Sequence, residues 1–313
     1  MSNFAVVAVT YFPNQSTIEN LYRISHRCDR LVLVDNTPGR AELTFPRLEN
    51  LTVHRYKENV GLAKALNKGI NLAGQQGYDN IFLLDQDSRP RDDFFEQMLM
   101  FKSQVSSFVS NCVLYAPNFY DRNSKTYAKF PQLTRFTVKH LRCGNMQSGP
   151  CDAATICITS GTLVTYKGFR EMSGLRDDYF IDFIDNEYCL RIYKLGYKIA
   201  INCEVTLDHA IGHRSMHKFF GIPIKPNNHS PPRRYYIARN GVRTALDYGS
   251  HYPSYVFLIL TRMIHEILSI VLYEKNRRKK LTAIIYGFYH GLIGRMGKCH
   301  LASVTNLRPD QHV

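Results

Sequence analysis

Three solid apolar runs, FAVVAVTY at 4–11, RLVLVD at 30–35 and NIFLLD at 80–85, each close on polar or acidic residues. An unbroken apolar run of this length suits a strand buried on both faces, as in a parallel sheet. Residues 51–56 supply a further strand. The segments between the strands carry helical spacing. Ser16-Thr17-Ile18-Glu19 has capping-box spacing and leads into Ile18, Leu21, Tyr22 and Ile24. Residues 60–76 put Leu62, Leu66, Gly69 and Ala73 on one stripe, and 92–105 read as a third helix. Strand–helix alternation predicts an α/β fold, a mainly parallel central sheet with helices on both faces. Ligands of such sheets bind beyond the carboxyl ends of the strands. Thr10-Tyr11, Asp35-Asn36 and Asp85-Gln86-Asp87 converge there.

The second half is less regular. Residues 118–150 read as a long loop with some extended structure, 155–166 as a strand, 185–195 as a helix and 198–207 as a strand. The expected organisation is a catalytic domain over 1–215, with halves 1–117 and 118–215, and a basic C-terminal region over 216–313. Residues 214–313 hold 16 of the 40 basic residues and 4 of the 26 acidic ones, a net +12 against +14 for the chain. This asymmetry implies an anionic partner, a phosphorylated lipid or a nucleic acid.

Residues 252–273 are apolar and aromatic, but Arg262, His265 and Glu266 interrupt them. On a helix, Arg262, Glu266, Ser269 and Tyr273 share one face, and Leu260, Ile264, Ile267 and Val271 the other. That pattern fits a helix lying in a membrane interface rather than crossing it. Lys275 to Lys280 then carry five positive charges in six residues, and Leu281–Met296 make a second amphipathic stretch. Such a tail predicts an anionic membrane surface as partner. The plainer reading is a helical hairpin packed on the catalytic domain or on a second subunit, so a homo-oligomer stays open.

The N-terminus has no basic start followed by a long apolar stretch, which predicts a cytoplasmic protein. Eight cysteines, none in a CxxC pair, then read as buried or idle thiols rather than disulfides. Cys143, Cys151, Cys157 and His140 match no common zinc spacing.

Several groups suit chemistry on a charged substrate. Asp85 and Asp87, two residues apart after a strand, can hold a hard divalent ion together with phosphate oxygens, though the same residues also read as a polar turn. Asp182, Asp185 and Glu187 gather at a helix start, where acids are favoured for structural reasons alone. Asn59 before Gly61 suits a helix N-cap. Arg233, Arg234, Arg239 and Asn240 offer donors of the kind that bind diphosphate oxygens, or form a solvated basic loop.

In sequence order, Val9-Thr10-Tyr11, Val34-Asp35-Asn36, Asn59-Val60-Gly61-Leu62-Ala63, Leu84-Asp85-Gln86-Asp87-Ser88, Ser160-Gly161-Thr162, Phe180 to Arg191 and Leu207 to Gly212 carry a resemblance. The chain resembles the family 2 inverting glycosyltransferases of GT-A fold, and bacterial rhamnosyltransferases in particular, over roughly residues 4–245. The resemblance implies transfer of L-rhamnose from dTDP-L-rhamnose to a lipid-linked glycan acceptor of bacterial surface polysaccharide, on the inner face of the cytoplasmic membrane. It implies that Thr10, Tyr11, Asp35, Asn36, Asn59, Gly61, Asp85, Gln86 and Arg239, with Asn240 nearby, face the nucleotide sugar. Asp35 would accept a hydrogen bond from uracil or thymine N3–H, a donor that cytosine lacks. Ser160, Gly161, Asp182 and Glu187 would face the acceptor. Asp87, Asp85 and His209 would hold Mg or Mn, with His213 competing for the last place. Asp185 would be the general base, with Asp182 as runner-up, because many relatives carry Glu-Asp where this chain has Ile184-Asp185. A UDP-galactofuranose or other UDP-hexose donor is the near alternative. A nucleotidyltransferase would need a glycine-rich phosphate loop, and residues 10–17 contain no glycine. A nucleic-acid-binding protein would leave the carboxylates at 85–87 and 182–187 without purpose, so no nucleic-acid partner is expected.

Overall fold

The computed structural model describes residues 3–39, 45, 48–121, 126–145, 155–209, 217–219, 222–224, 226–301 and 304. The first half runs β1 (Phe4–Thr10), α1 (Gln15–Ser25), β2 (Arg30–Asp35), β3 (Leu51–Arg55), α2 (Leu62–Gln75), β4 (Asn80–Asp85), α3 (Phe94–Ser106) and β5 (Cys112–Asp121). There follow β6 (Thr126–Tyr127), β7 (Phe130–Leu133), β8 (Val138–Leu141), β9 (Leu163–Thr165), α4 (Tyr166–Glu171), α5 (Ile184–Lys194) and β10 (Lys198–His209). A small hairpin, β11 (His217–Phe219) with β12 (Ile222–Ile224), precedes α6 (Pro231–Tyr248), α7 (Pro253–Tyr273) and α8 (Arg277–Leu292).

The central sheet has the order β10-β5-β9-β4-β1-β2-β3. β3, β2, β1 and β4 pair in parallel, as does β5 with β10, while β9 runs antiparallel between β4 and β5. The mainly parallel sheet expected from the sequence is present. Alternate residues of β1 explain why its run is apolar throughout. Ala5 and Val7 pack among buried residues that include α2 and α5, while Val6 and Ala8 pack on the opposite face with Leu21 of α1 and Phe94 of α3. Each fully buried aliphatic side chain of this kind contributes about 1.5–3 kcal/mol.

Several local expectations need correcting. The N-cap of α1 is Asn14, whose Oδ1 accepts from Thr17 N at 2.9 Å, and not Ser16. The N-cap of α2 is Gly61 rather than Asn59. Residues 155–166 contribute only the three residues of β9, because Gly161 turns the chain at φ +82°. Residues 118–150 contain the end of β5 and the β7–β8 hairpin, and 146–150 lie outside the described residues. The division at 117/118 falls inside β5, and the boundary at 215/216 lies outside the described residues. Cys143 and Cys203 form a disulfide with a Cα–Cα distance of 5.3 Å, against the expectation of free thiols. The fold brings together two residues 60 apart in sequence, so spacing could not reveal the pair.

The C-terminal helices form a buried charge-linked unit. Arg234 of α6 is buried and bonds Glu274 at 2.6 Å and Glu266 of α7. Lys280 of α8 bonds the same Glu274 at 2.7 Å. Gly287 and Gly291 let α8 lie against α6: a Cβ there would stand 2.3 Å from Tyr235 O and 2.6 Å from Arg239 O.

α7 presents its apolar side outward. Phe257, Leu260, Ile264, Leu268 and Val271 are exposed, Phe257 to 68%. Arg262 and Glu266 lie on the opposite side, with buried Tyr255, Ile259, Ser269 and Ile270. By length and composition alone α7 is apolar enough to cross a membrane, with a mean hydropathy of 1.8 over its best window. Ile285, Tyr286, Phe288, Tyr289, Leu292 and Ile293 extend the exposed apolar area on α8 and just beyond it.

Candidate active site

The crevice at the carboxyl ends of β1, β2 and β4 is built on a lattice of short side chains. Asp35 Oδ1 accepts from Thr37 N at 3.1 Å and from the Thr10 hydroxyl at 3.3 Å. Its Oδ2 faces the half-exposed Arg55 at 3.7 Å. Asn36 bonds Asn59 through Nδ2 and Val60 N through Oδ1, both at 2.9 Å. Asn59 Oδ1 in turn accepts from Gly61 N at 2.9 Å. Thr10 and Asn36 are therefore buried wall, with their polar atoms committed to protein partners.

The acidic turn after β4 is clipped in place. The Gln86 amide accepts from Tyr11 N at 2.8 Å and donates to Tyr11 O at 3.3 Å, so Gln86 fixes the turn against β1. Ser160 is buried, with its hydroxyl 2.6 Å from Ser88 Oγ and 3.3 Å from Asp85 N. It braces this turn. Gly161 is likewise buried, and a Cβ there would meet Leu207 and Pro117. With its neighbours held, Asp87 is left exposed beside half-buried Asp85. An antiparallel bridge between Arg89 and Asp208 runs the backbone at the end of β10 back towards Ser88 and Asp87. His209 therefore ends its strand beside the acidic turn; its side chain and His213 lie outside the described residues.

Among the described residues no three His, Cys, Asp or Glu side chains converge as a metal-ligand set. Asp85 and Asp87 supply two hard oxygen donors. That suits a divalent ion that takes its remaining ligands from a diphosphate and water.

The opposite wall is a strained loop. Phe180, Asp182 and Phe183 have φ of +65°, +63° and +63°, a region that non-glycine residues enter at a cost of order 1–3 kcal/mol each. The loop is clamped from both sides. Leu62 N donates to Phe180 O at 2.6 Å, and Gly61, at φ +88°, leaves the room that a Cβ would fill against Phe180. From α6, Asn240 Nδ2 lies 2.8, 2.7 and 2.9 Å from the carbonyl oxygens of Tyr179, Ile181 and Asp182. Arg239 is fully buried and donates to the carbonyls of Asp178, Tyr179 and Gly297 and to Asn240 Oδ1. Arg239, expected at the nucleotide sugar, is thus buried and holds the loop.

The loop delivers two carboxylates with different surroundings. Asp182 is held by Arg233, with contacts at 3.1 to 3.3 Å. Asp185, in the first turn of α5, accepts Asn186 N at 2.8 Å and has no ion pair within the described residues. Burial and the nearby Asp182 charge push its carboxyl up to about 6, while the Asn186 N–H and the Arg262 charge pull the other way. A proton acceptor near 6 is better matched to neutral pH than an ordinary carboxylate. Glu187 is buried, with Tyr248 donating to it at 2.6 Å and Arg191 at 2.8 Å. It anchors α5 to α6. The sequence signalled neither Arg55 nor Tyr248, nor the pairing of Arg233 with Asp182, because the partners lie 20 to 61 residues away.

The mainly parallel sheet with helices on both faces is the fold seen in solved glycosyltransferases. Within that class the sequence is rhamnosyltransferase-like: it is 28% identical over 303 residues to the dTDP-rhamnosyl transferase RfbF of Shigella flexneri, covering 95% of this chain and 97% of that one. No family model matches. Among solved structures, residues 1–349 of TarS from S. aureus superpose with a TM-score of 0.57 at 10% identity, over 94% of this chain and 82% of that one. GalNAc-T7, solved with UDP, GalNAc and Mn2+, gives 0.54 at 13% identity over 78% of this chain, which spans about half of that protein (47%).

Proposed function

We propose that the protein transfers L-rhamnose from dTDP-L-rhamnose to a hydroxyl of a lipid-linked glycan, with inversion at the anomeric carbon. The observation that carries the donor is the full-length likeness to a dTDP-rhamnosyl transferase. Asp35 accepts the thymine N3–H, with Arg55 yielding the outer oxygen. Asp87 and Asp85 hold a divalent ion, Mg or Mn, which supplies charge neutralisation for the diphosphate. Asp185 takes the proton of the acceptor hydroxyl. That oxygen forms its bond to the anomeric carbon from the face opposite the nucleotide. The bond to the diphosphate breaks, and its electron pair leaves on the diphosphate oxygen. Asp182, neutralised by Arg233, supports the loop and the acceptor side.

The outward apolar faces of α7 and α8, next to exposed Lys275, Arg277, Arg278 and Lys279, suit a peripheral site on the anionic inner leaflet. Each such cation adds about 1 kcal/mol near an anionic surface, screened by salt. Lys280, buried on Glu274, is not part of that surface. The test is product analysis. NMR of the product formed from dTDP-L-rhamnose and a membrane-extracted acceptor should show one new rhamnosyl linkage of inverted configuration. Retained configuration would remove the single-displacement mechanism.

A further inference from the structure

One stripe of α6 grips the loop that carries Asp182 and leads to Asp185. Arg233, Tyr236 and Asn240 stand at i, i+3 and i+7, on a single helix face. Asn240 Nδ2 bonds the carbonyl oxygens of Tyr179, Ile181 and Asp182. The Tyr236 ring stacks on Phe180 with centroids 5.0 Å apart. Phe183 packs on the same helix at Gly241, where a Cβ would stand 3.2 Å from its ring. The backbone of the loop is thus held at Phe180, Ile181, Asp182 and Phe183 without help from Arg233.

Arg233 makes a contact of another kind. Its Nε lies 3.3 and 3.2 Å from the two Asp182 carboxylate oxygens, and its Nη2 lies 3.1 Å from Oδ1. The pair is partly sheltered, with the Asp182 side chain 15% exposed. Two acids three residues apart therefore differ in one respect. Both Asp182 oxygens are taken by a guanidinium, whereas Asp185 accepts only the Asn186 N–H and forms no ion pair among the described residues. A carboxylate held by a guanidinium is a poor proton acceptor, and its charge is largely cancelled for its neighbours.

Few other groups facing Asp185 carry charge. The Tyr255 hydroxyl on α7 is pushed up by burial, and the Cys157 thiol ahead of β9 by its hydrogen bond with Cys189 and by burial. Both are uncharged at neutral pH. Arg262 of α7 is charged but exposed, so water and salt screen it. Asp182 is the remaining charge, and Arg233 decides how much of it Asp185 meets.

We propose that Arg233 is a positioning residue that gives the two carboxylates of this loop their separate roles. It occupies Asp182 and cancels its charge, and so leaves Asp185 to take the proton of the acceptor hydroxyl. This rests on Asp185 as the base, as argued above, and gives Arg233 no contact with substrate.

The experiment is the pH dependence of kcat/KM for the wild type, Arg233→Gln, Arg233→Lys and the double variant Asp182→Asn with Arg233→Gln. The donor is dTDP-L-rhamnose and the acceptor is membrane-extracted. Tm and dTDP affinity check that each variant is folded. An unneutralised Asp182 beside Asp185 opposes its ionisation, so Arg233→Gln should move the acid limb upward from pH 6 by about one unit. Activity should then fall about fivefold at pH 6 and little at pH 8. Arg233→Lys keeps the charge and should restore most of the limb. The double variant has no charge left to cancel and should return the limb to the wild-type position, which a purely structural role of Arg233 would not do. An unmoved limb in folded Arg233→Gln, or a limb that stays shifted in the double variant, overturns the proposal. Asp185→Asn separates this from the reading beneath it. If Asp185→Asn keeps the wild-type rate, the base assignment itself is overturned. If Asp185→Asn is inactive and Arg233→Gln leaves the limb unmoved, only the role of Arg233 is lost.

Discussion

Asn240 stands directly behind Asp182. Its Nδ2 is 2.9 Å from the Asp182 carbonyl oxygen while it also meets the carbonyls of Tyr179 and Ile181, so one buried amide secures a loop with three residues at positive φ. Asn240→Ala would strip this donor from the Ile181 and Asp182 carbonyls, while the Tyr179 carbonyl keeps Arg239. We expect a stability loss of about 1–3 kcal/mol, read by denaturant unfolding. We also expect a fall in kcat of at least tenfold with dTDP affinity retained, because the Asn240 side chain bonds the loop carbonyls and Arg239 and none of the residues around Asp35. Unchanged kcat would mean that the loop keeps its shape without the clamp.

Asp185→Asn should abolish transfer and leave nucleotide binding intact, while Asp182→Asn should retain measurable turnover. With the Asp185 carboxyl at about 6, the wild-type rate should rise as pH increases through 6 and level off above it, since the base must be ionised. The stability effect has the opposite sign. The folded value lies above the ordinary 3.8, so the ionised carboxylate weakens the fold above pH 6 and costs nothing below the ordinary value. Asp185→Asn should therefore raise Tm at pH 8 more than at pH 4.

Asp87→Ala should remove transfer activity without lowering Tm, because Asp87 is exposed and makes no hydrogen bond or ion pair among the described residues, while Gln86 and Ser160 hold the turn. Chelator should inactivate the wild type, and added Mg or Mn should restore it. Full turnover in excess chelator would contradict the metal role.

The basic run between α7 and α8 should split by position. Charge reversal at Lys275, Arg278 and Lys279 should weaken pelleting with anionic vesicles and leave Tm nearly unchanged. Lys280→Glu should instead destabilise the fold by about 3–5 kcal/mol, because it strips a partner from the buried Glu274. Thermal melts and sedimentation separate the two effects.

The first half of this fold was legible because β1, β2 and β4 are unbroken apolar runs, and such runs have few alternatives. Asp35, Asp85 and Asp87 were legible for the same reason: they sit where those runs stop. The second half was not. TICITSGTLVTY has strand composition, yet Gly161 at φ +82° turns the backbone and leaves only Leu163–Thr165 in the sheet. The donors of 231–240 look like a solvated loop or a phosphate clamp; they form α6, opened by proline in its first turn, with Arg239 and Asn240 facing inward. A polar helix does not announce which way it faces. The partners of Arg239 and Asn240 lie 58 to 61 residues away, beyond any local pattern. By contrast, the two faces read from 252–273 were legible because helical period alone separates them.

The central claim is the donor, and competition among nucleotide sugars tests it most directly. Initial rates of transfer to a membrane-extracted acceptor should be measured for dTDP-L-rhamnose, dTDP-glucose, UDP-galactofuranose and UDP-GlcNAc under one set of metal and pH conditions. dTDP-L-rhamnose should give the highest kcat/KM, and Asp185→Asn should reduce it to background. A higher kcat/KM for UDP-galactofuranose, itself lost in Asp185→Asn, would contradict the rhamnosyl assignment.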